Sequence, residues 1–312
     1  MKYTEFPVWI ANEVKKNREQ LSENSFALFE KVLDIYPSFL SMYINIPKTS
    51  ELGVLKNFSP RALEEEYDKR TLPYFISASS GEVFHYNFIY QIREIGLAMH
   101  QALESGSFYV ASVLNRSKLE LVCSSFDTLR RVEVEFKESM FRLREASKTK
   151  SVSERDRTFS KHYEGVIKIH ALLHEANTAS SINWAEHMKE FGYDLKSIEH
   201  KKIHVHNAIK DIGRLSDLPT WKVYELMSEF AHPNLGGKML VVNTRRPKTR
   251  FIDVVVLGEN AGNSEAALYY IDQLSESLFC TINLACSLSD RSQNFLSHIF
   301  GLIDGIEKQK LH

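Results

Sequence analysis

Three ionisable side chains share one face near the end of a predicted helix. Glu225, Glu229 and His232 are spaced i, i+4 and i+7, and Ser228 lies four residues before the histidine. A carboxylate beside an imidazole orients the ring and raises its basicity, as general acid or base catalysis requires. The same pattern fits a structural role, in which His232 caps the last carbonyls of the helix. Spacing alone leaves both interpretations open.

A second group of charged residues lies on the long helix predicted after Gly106. Arg116 and Glu120 are one turn apart, and Asp127 lies two further turns along on about the same face. An ion-paired solvent face would explain this pattern. The flanking residues, however, are apolar or small, and buried charge is costly unless it is paired. The sequence therefore indicates a partly buried ion pair of Arg116 and Glu120.

Four cations are concentrated in six residues of a predicted β-hairpin turn. They are Arg245, Arg246, Lys248 and Arg250. Guanidinium groups on an exposed turn can grip phosphates. Aromatic residues that would stack on bases are missing from this turn, and a solubilising turn is the alternative interpretation. The turn is the best candidate for contact with nucleic acid.

Several histidines have spacings that raise the question of a metal site. The residues concerned are His170, His174, Glu175, His200, His204 and His206. The HExxH order and the second carboxylate motif of di-iron bundles are both missing, and apolar neighbours indicate an ordinary amphipathic helix. Glycine-rich phosphate loops and GxSxG elbows are missing as well. We therefore predict neither a metal ion nor a cofactor.

Composition limits the classes of function that the chain can have. Of 312 residues, 43% are hydrophobic and 25% are charged, with a formal net charge of -1. This balance excludes binding of nucleic acid or membrane through bulk charge, so any such contact must be local. The sequence has neither a secretory signal nor an apolar run of the roughly 20 residues that cross a bilayer. We expect a cytoplasmic protein without a membrane partner.

The first part of the chain reads as an N-terminal helical region over residues 1–80. Helix breaks are expected at Pro37, Pro47 and Pro60, because proline removes a backbone donor and disfavours helix just before it. The segment 71–81 combines a proline, small polar residues and a glycine. It is the predicted domain boundary.

The rest of the chain, residues 81–312, is predicted to form a helical bundle with one β-hairpin. The hairpin is expected at about 238–258, where two β-branched runs flank the basic turn. Pro233 ends the preceding helix just after His232, and a long apolar-striped helix follows the hairpin. The predicted fold class is mainly α, with this hairpin in the C-terminal half.

Two segments together carry a family resemblance. The helix ASVLNRSKLE, ending at Glu120, and the later segment YELMSEFAHPN, ending at Asn234, resemble bacterial helical proteins related to the HEPN nucleotide-binding domains. The resemblance covers roughly residues 82–258. It implies a helical bundle, usually dimeric, that cleaves RNA without metal through an arginine, a polar residue and a histidine.

The resemblance assigns roles to individual residues. His232 takes the position of the motif's histidine, while Met227 stands at the arginine position and Ser228 at the asparagine position. Arg116 would then supply the guanidinium from a neighbouring helix, and Glu229 or Glu120 would orient His232. The basic turn would guide the RNA strand.

The implied function is binding or metal-independent cleavage of RNA, in a toxin or antiviral setting. RNA and a protein partner or a second copy of the chain are the partners that the resemblance implies. The alternative is a non-catalytic sensor or adaptor that binds a protein, which Met227 at the arginine position favours.

Overall fold

The computed structural model describes residues 6–44, 71–178, 204–231, 242–245, 254–257 and 264–310. This part of the chain is mainly α-helical, which confirms the fold class at that level. In chain order the helices are α1 (Val8–Lys16), α2 (Glu23–Ile44), α3 (Leu72–Glu104), α4 (Phe108–Lys148), α5 (Val152–Thr178), α6 (Val205–Ser216), α7 (Thr220–Ala231) and α8 (Ser264–Lys310), with a short 3₁₀ turn at Arg18–Gln20. None of the helices described is both long and apolar enough to cross a membrane.

Two short strands lie between α7 and α8 in the sequence. β1 (Val242–Arg245) and β2 (Val254–Leu257) pair antiparallel, with Val242 opposite Leu257 and Arg245 opposite Val254. Both strands fall within the span predicted as a hairpin. Residues 246–253, which would join them, lie outside the described residues, so the turn stays a prediction.

The chain divides into two compact units, and each is discontinuous in sequence. The first comprises Met1–Lys48, Ile89–Ser124 and His204–Ser287, and the second comprises Thr49–Phe88, Ser125–Ile203 and Leu288–His312. Helices α3, α4 and α8 each contribute residues to both units. Residues 80 and 81, where the sequence predicted a boundary, both belong to the second unit.

Helix α3 runs without a break through the predicted boundary. It begins at Leu72, so Pro73 stands in the first turn, where backbone N–H groups have no intrahelical acceptor and none is lost. A Cβ added at Gly81 would lie 2.9 Å from Cδ2 of Leu296. This glycine therefore allows α3 and α8 to pack closely, whereas the sequence suggested a domain boundary here.

Helix α2 continues through Pro37, so the predicted break there is wrong. Tyr36 and Phe39 beside it are fully buried, and the ring of Tyr36 contacts that of Phe6 edge-on at 5.1 Å between centroids. This aromatic packing outweighs the backbone hydrogen bond that proline removes. Pro47 and Pro60 lie outside the described residues.

A buried polar network fixes α4 against α8 in the first unit. Nδ2 of Asn115 donates to Oγ of Ser277 at 2.7 Å, and Oγ1 of Thr281 donates to Oδ1 of Asn115 at 2.9 Å. All three side chains are fully buried, so any sliding of the helices would leave polar groups unpaired. Because Asn115 precedes Arg116, the network also fixes where that arginine lies.

Lys118 is a buried cation on the same stretch of α4. Its side chain is fully buried, with Nζ 3.9 Å from Sδ of Met99 and 5.0 Å from the ring centroid of Phe39. Burial lowers the pKa of this amine to about 7. The folded protein therefore holds this amine in comparable neutral and charged forms at pH 7.

Candidate functional site

The site is built around an ion pair on α4. Nε of Arg116 lies 3.1 Å from Oε1 of Glu120, one turn further along the helix. The two side chains are 23% and 32% exposed, so the pair is partly buried, as its flanking sequence indicated. Partial burial strengthens the pairing while leaving the guanidinium accessible to a ligand.

A tyrosine on α7 is the second partner of the arginine. Nη2 of Arg116 donates to Oη of Tyr224 at 3.0 Å, and the guanidinium carbon lies 5.1 Å from the centroid of the Tyr224 ring. The tyrosine is only 7% exposed. Arg116 is thus held by a carboxylate on its own helix and by a buried phenol on another.

An imidazole extends this contact by one hydrogen bond. Nε2 of His206, on α6, lies 3.1 Å from Oη of Tyr224. Because arginine can only donate, the phenol oxygen accepts from Arg116 and has its own hydrogen to give. With the imidazole proton on Nδ1, Nε2 accepts this hydrogen from Tyr224. In that tautomer the chain of donation runs from Arg116 through Tyr224 to His206.

Aromatic rings surround the hydrogen-bonded chain. Trp221 stacks on Tyr224 with ring centroids 5.6 Å apart and 28° between the ring planes. His206 meets the indole edge-on at 5.9 Å, and Nζ of Lys210 lies 4.0 Å from the indole centroid. His206 and Lys210 are exposed, and Trp221 is half-buried. This is an accessible surface of rings and cations beside Arg116.

A tight connection between α6 and α7 positions His206 and Tyr224. Asp217 has a φ of 55°, the left-handed conformation that reverses the chain after α6. Thr220, the first residue of α7, is fully buried and donates its hydroxyl to the carbonyl of Ile209. A Cβ at Gly213 would lie 2.5 Å from Oγ1 of Thr220, so the close approach depends on this glycine.

Helices α4 and α7 are antiparallel beside the site. Oη of Tyr109 donates to the carbonyl of Ala231 at 3.2 Å, while Arg116 meets Tyr224. Arg116 lies seven residues after Tyr109, and Tyr224 lies seven residues before Ala231, so the contacts run in opposite directions. The described end of α7 therefore lies beside Tyr109, about 10 Å along α4 from Arg116.

A groove with acidic walls adjoins the site along α7. Its volume is about 780 Å³, and residues of α2, α7 and α8 line it. Four carboxylates are in the lining: Glu225, Glu229, Asp272 and Glu276. Lys222 pairs with Glu276 at 2.8 Å. Trp221 and Tyr224 belong both to this groove and to the cluster around Arg116.

The structure separates some residues that the sequence grouped together. Arg116 and Glu120 are in contact, whereas Glu229 is exposed in the groove, where its charge adds to burial in raising the pKa of Tyr269. Met227 is fully buried in the core of its unit. Oγ of Ser228 is buried and lacks a hydrogen-bond partner within the part of the chain described.

Several predicted site residues cannot be placed in this geometry. His232, Arg246, Lys248 and Arg250 lie outside the described residues, and Arg245 is the last residue of β1. The proposed contacts of His232 with Glu229, Glu120 and Arg116 therefore stay predictions. So does the grip of the basic turn on phosphates.

The histidines considered as metal ligands have other partners. Nδ1 of His170 lies 2.7 Å from Oγ of Ser80, and the His174 ring lies 5.9 Å from that of His170. His204 precedes α6, and His200 lies outside the described residues. Among the residues that the structure describes, no three His, Cys, Asp or Glu side chains are grouped to hold a metal ion.

Two residues of the site were not recognised as such in the sequence. Tyr224 fits the apolar stripe of α7, and His206 stands among histidines weighed only as metal ligands. Their contacts join positions 108 and 18 residues apart, which no local pattern reports. Comparison of the chain with known protein families, curated proteins and solved structures gives no match.

Proposed function

We propose that this protein binds RNA and cleaves it without a metal ion, at the cluster formed by Arg116, Glu120, Tyr224 and His206. One observation carries the proposal. A partly exposed guanidinium is held between a carboxylate and a phenol, and the phenol is hydrogen-bonded to an imidazole. Phosphodiester cleavage needs a cation for the phosphate and a group that moves a proton.

Arg116 is the residue that would bind the phosphate. Its planar donors match two phosphate oxygens at once, and burial of most of its side chain strengthens the attraction. Glu120 and Tyr224 hold the guanidinium before RNA arrives, so little of its conformational freedom remains to be lost. Charge that develops on the phosphorane-like transition state would be stabilised at the same place.

The remaining parts of the proposal rest on the family resemblance. His232 would serve as an acid or base oriented by Glu229 or Glu120, and the cations Arg245, Arg246, Lys248 and Arg250 would guide the strand. Metal independence, dimerisation and the toxin or antiviral setting rest on the same basis.

A non-catalytic sensor or adaptor is the second candidate. Met227, at the arginine position of the resembled motif, is fully buried, so that position offers no group to a phosphate. This observation favours a protein whose helices serve a partner or a second copy. Catalysis then depends on whether Arg116 replaces the motif's arginine.

The test is cleavage of single-stranded RNA by the purified protein, with and without chelator. Arg116→Ala should lower the rate at least about 100-fold, because one stabilising donor contributes that much. Arg214→Ala is the matched control. It removes the same charge from a fully solvated pair with Asp211, in which Arg214 is 79% exposed. We expect that variant to cleave at the wild-type rate.

Three results would contradict the proposal. Cleavage by Arg116→Ala at the wild-type rate would exclude its role, provided that circular dichroism shows unchanged helix content. Loss of cleavage with chelator would exclude a metal-independent reaction. Intact RNA in every condition, together with an unaltered complex of two chains or a captured partner protein, would favour the adaptor.

A further inference from the structure

We infer that His206 is the catalytic base of this reaction and accepts the proton of the attacking ribose 2′-hydroxyl. The inference rests on the proposed function and deepens it, because the family resemblance gives no role to this position. The observation behind it is the hydrogen-bonded chain from Arg116 through Tyr224 to His206.

The direction of donation leaves His206 with the basic atom. Arg116 only donates and Tyr224 passes its hydrogen onward, so the lone pair of Nε2 points at the phenol oxygen that Arg116 also binds. Nη2 of Arg116 and Nε2 of His206 both contact this oxygen, at 3.0 and 3.1 Å, so a phosphate bound at Arg116 beside Tyr224 lies close to Nε2. A base at this distance reaches the sugar hydroxyl next to the phosphate.

The surroundings of His206 suit a group that meets substrate. The side chain is exposed, so RNA can reach it without an opening of the fold. Of the charged and titratable groups nearby, Tyr224 from α7 bonds the ring, Lys210 lies one turn along α6 over the same indole, and Arg116 with its partner Glu120 lies on the other side of Tyr224. Trp221 covers its edge and offers a ring beside the position of a base.

Several other histidines of the described chain are buried or bond within their own helix. His85, His100, His162 and His170 are buried, and Nδ1 of His298 bonds the carbonyl of Asn294 within its own helix. The end of α7 before His232 lies beside Tyr109, about 10 Å along α4 from Arg116. His206 is the imidazole that the geometry joins to the guanidinium.

The chemical step is an internal transesterification. His206 removes the 2′-hydroxyl proton while the 2′-oxygen forms a bond to phosphorus. The bond from phosphorus to the 5′-oxygen breaks, and that oxygen leaves with the electron pair and takes a proton from water. The products are a 2′,3′-cyclic phosphate and a 5′-hydroxyl, and the imidazolium returns its proton to water. No oxidant or metal ion is needed.

The test is chemical rescue of His206→Ala by imidazole. We expect this variant to cleave a short single-stranded RNA about 100-fold more slowly than wild type, in the range found for a lost base. It should bind the same RNA with unchanged affinity. Because the position is exposed, added imidazole can enter, and the rate should recover at least tenfold. Substituted imidazoles of higher basicity should rescue better.

Three further measurements separate catalysis from structure. Tyr224→Phe removes the hydroxyl that links His206 to Arg116, and we expect a smaller loss that imidazole does not repair. His298→Ala removes an exposed histidine elsewhere and should leave the rate unchanged. RNA with a single 2′-deoxy sugar at the cleaved position should stay intact with every variant.

The outcomes distinguish this inference from the proposed function. If wild type cleaves RNA, and His206→Ala cleaves equally well or gains nothing from imidazole, the role of His206 is overturned while the function stands. If wild type binds RNA but leaves it intact, both cleavage and this role are overturned. Rescue that follows imidazole basicity supports both.

Discussion

Both compact units contain tyrosines hydrogen-bonded to histidines, and two of these pairs, one from each unit, differ in what surrounds them. In the first unit, Tyr224 bonds both Arg116 and His206, and the ring of His206 is exposed. In the second unit, Oη of Tyr74 bonds Nε2 of His162, and both side chains are buried. The same two residue types therefore occupy opposite environments.

The buried pair has the properties of a structural element. Nδ1 of His162 donates to the carbonyl of Ser139 at 2.7 Å, so Nε2 accepts from Tyr74 and both ring nitrogens are satisfied. Burial lowers the pKa of His162 and raises that of Tyr74, which keeps both groups neutral. Such a pair holds α3, α4 and α5 together and has no route to a substrate.

The difference indicates which of the two pairs a substrate could reach. Exposure of the imidazole and a guanidinium on the far side of the phenol distinguish the first pair from the second. If this distinction is correct, changes to the second pair should alter stability, and changes to the first should alter activity.

The largest effect is expected from Gly165→Ala beside the buried pair. The added Cβ would lie 2.0 Å from Oγ of Ser139, and Ser139 is fully buried. Overpacking at such a site costs about 3 kcal/mol of unfolding free energy. Urea unfolding measures this loss.

Gly301→Ala is the control for that substitution. It lies in α8, and an added Cβ meets nothing within 4 Å. Alanine should stabilise this helical position by up to about 1 kcal/mol. Equal stabilities of the two variants would show that the close approach at Gly165 is not essential.

A pH titration should reveal the buried amine on α4 of the first unit. The pKa of Lys118 is about 7 in the folded protein and higher in the unfolded chain, so the unfolded chain binds more protons above pH 7. Stability should therefore rise by about 2 kcal/mol between pH 7 and pH 9. Lys118→Met should remove this rise, as unfolding at both pH values would show. A rise of the same size in both proteins would exclude Lys118 as its source.

Removing the two phenol hydroxyls compares the pairs directly. Tyr74→Phe leaves Nε2 of His162 buried without a donor and should cost about 2 kcal/mol of stability. Tyr224→Phe should cost less than about 1 kcal/mol, because Arg116 keeps Glu120 and His206 stays solvated. Thermal unfolding should show the larger loss of stability in Tyr74→Phe, and RNA cleavage should show the larger loss of rate in Tyr224→Phe. The comparison fails if Tyr74→Phe lowers cleavage more than Tyr224→Phe at a temperature where both are folded.

The smallest effect is expected on the acid side of neutrality. Because the pKa of His162 is lowered in the folded protein, the unfolded chain takes up protons first as the pH falls below about 6.5. Stability should then decrease by at most about 1.4 kcal/mol per pH unit. His162→Phe should reduce this slope. His85 and His100, whose pKa values are also lowered by burial, contribute to the slope that remains.

The sequence predicted what depends on local spacing. The helical periodicity and the i, i+4 pair of Arg116 and Glu120 could be inferred because one helix contains both partners. Pro37 and Gly81 gave misleading signals, since packing around Tyr36 and against Leu296 decides the structure there. The bond from Arg116 to Tyr224 joins residues 108 positions apart, and only the folded chain reveals it.

The acidic groove on α7 has a consequence for how a polyanion approaches. Its carboxylates repel phosphates, and Lys222 already pairs with one of them. Lys210 attracts phosphates from α6, across the indole of Trp221. A strand bound at Arg116 would thus experience a field gradient that directs it away from the groove and toward α6. If RNA binds as proposed, this polarity would set the direction in which the strand crosses the site.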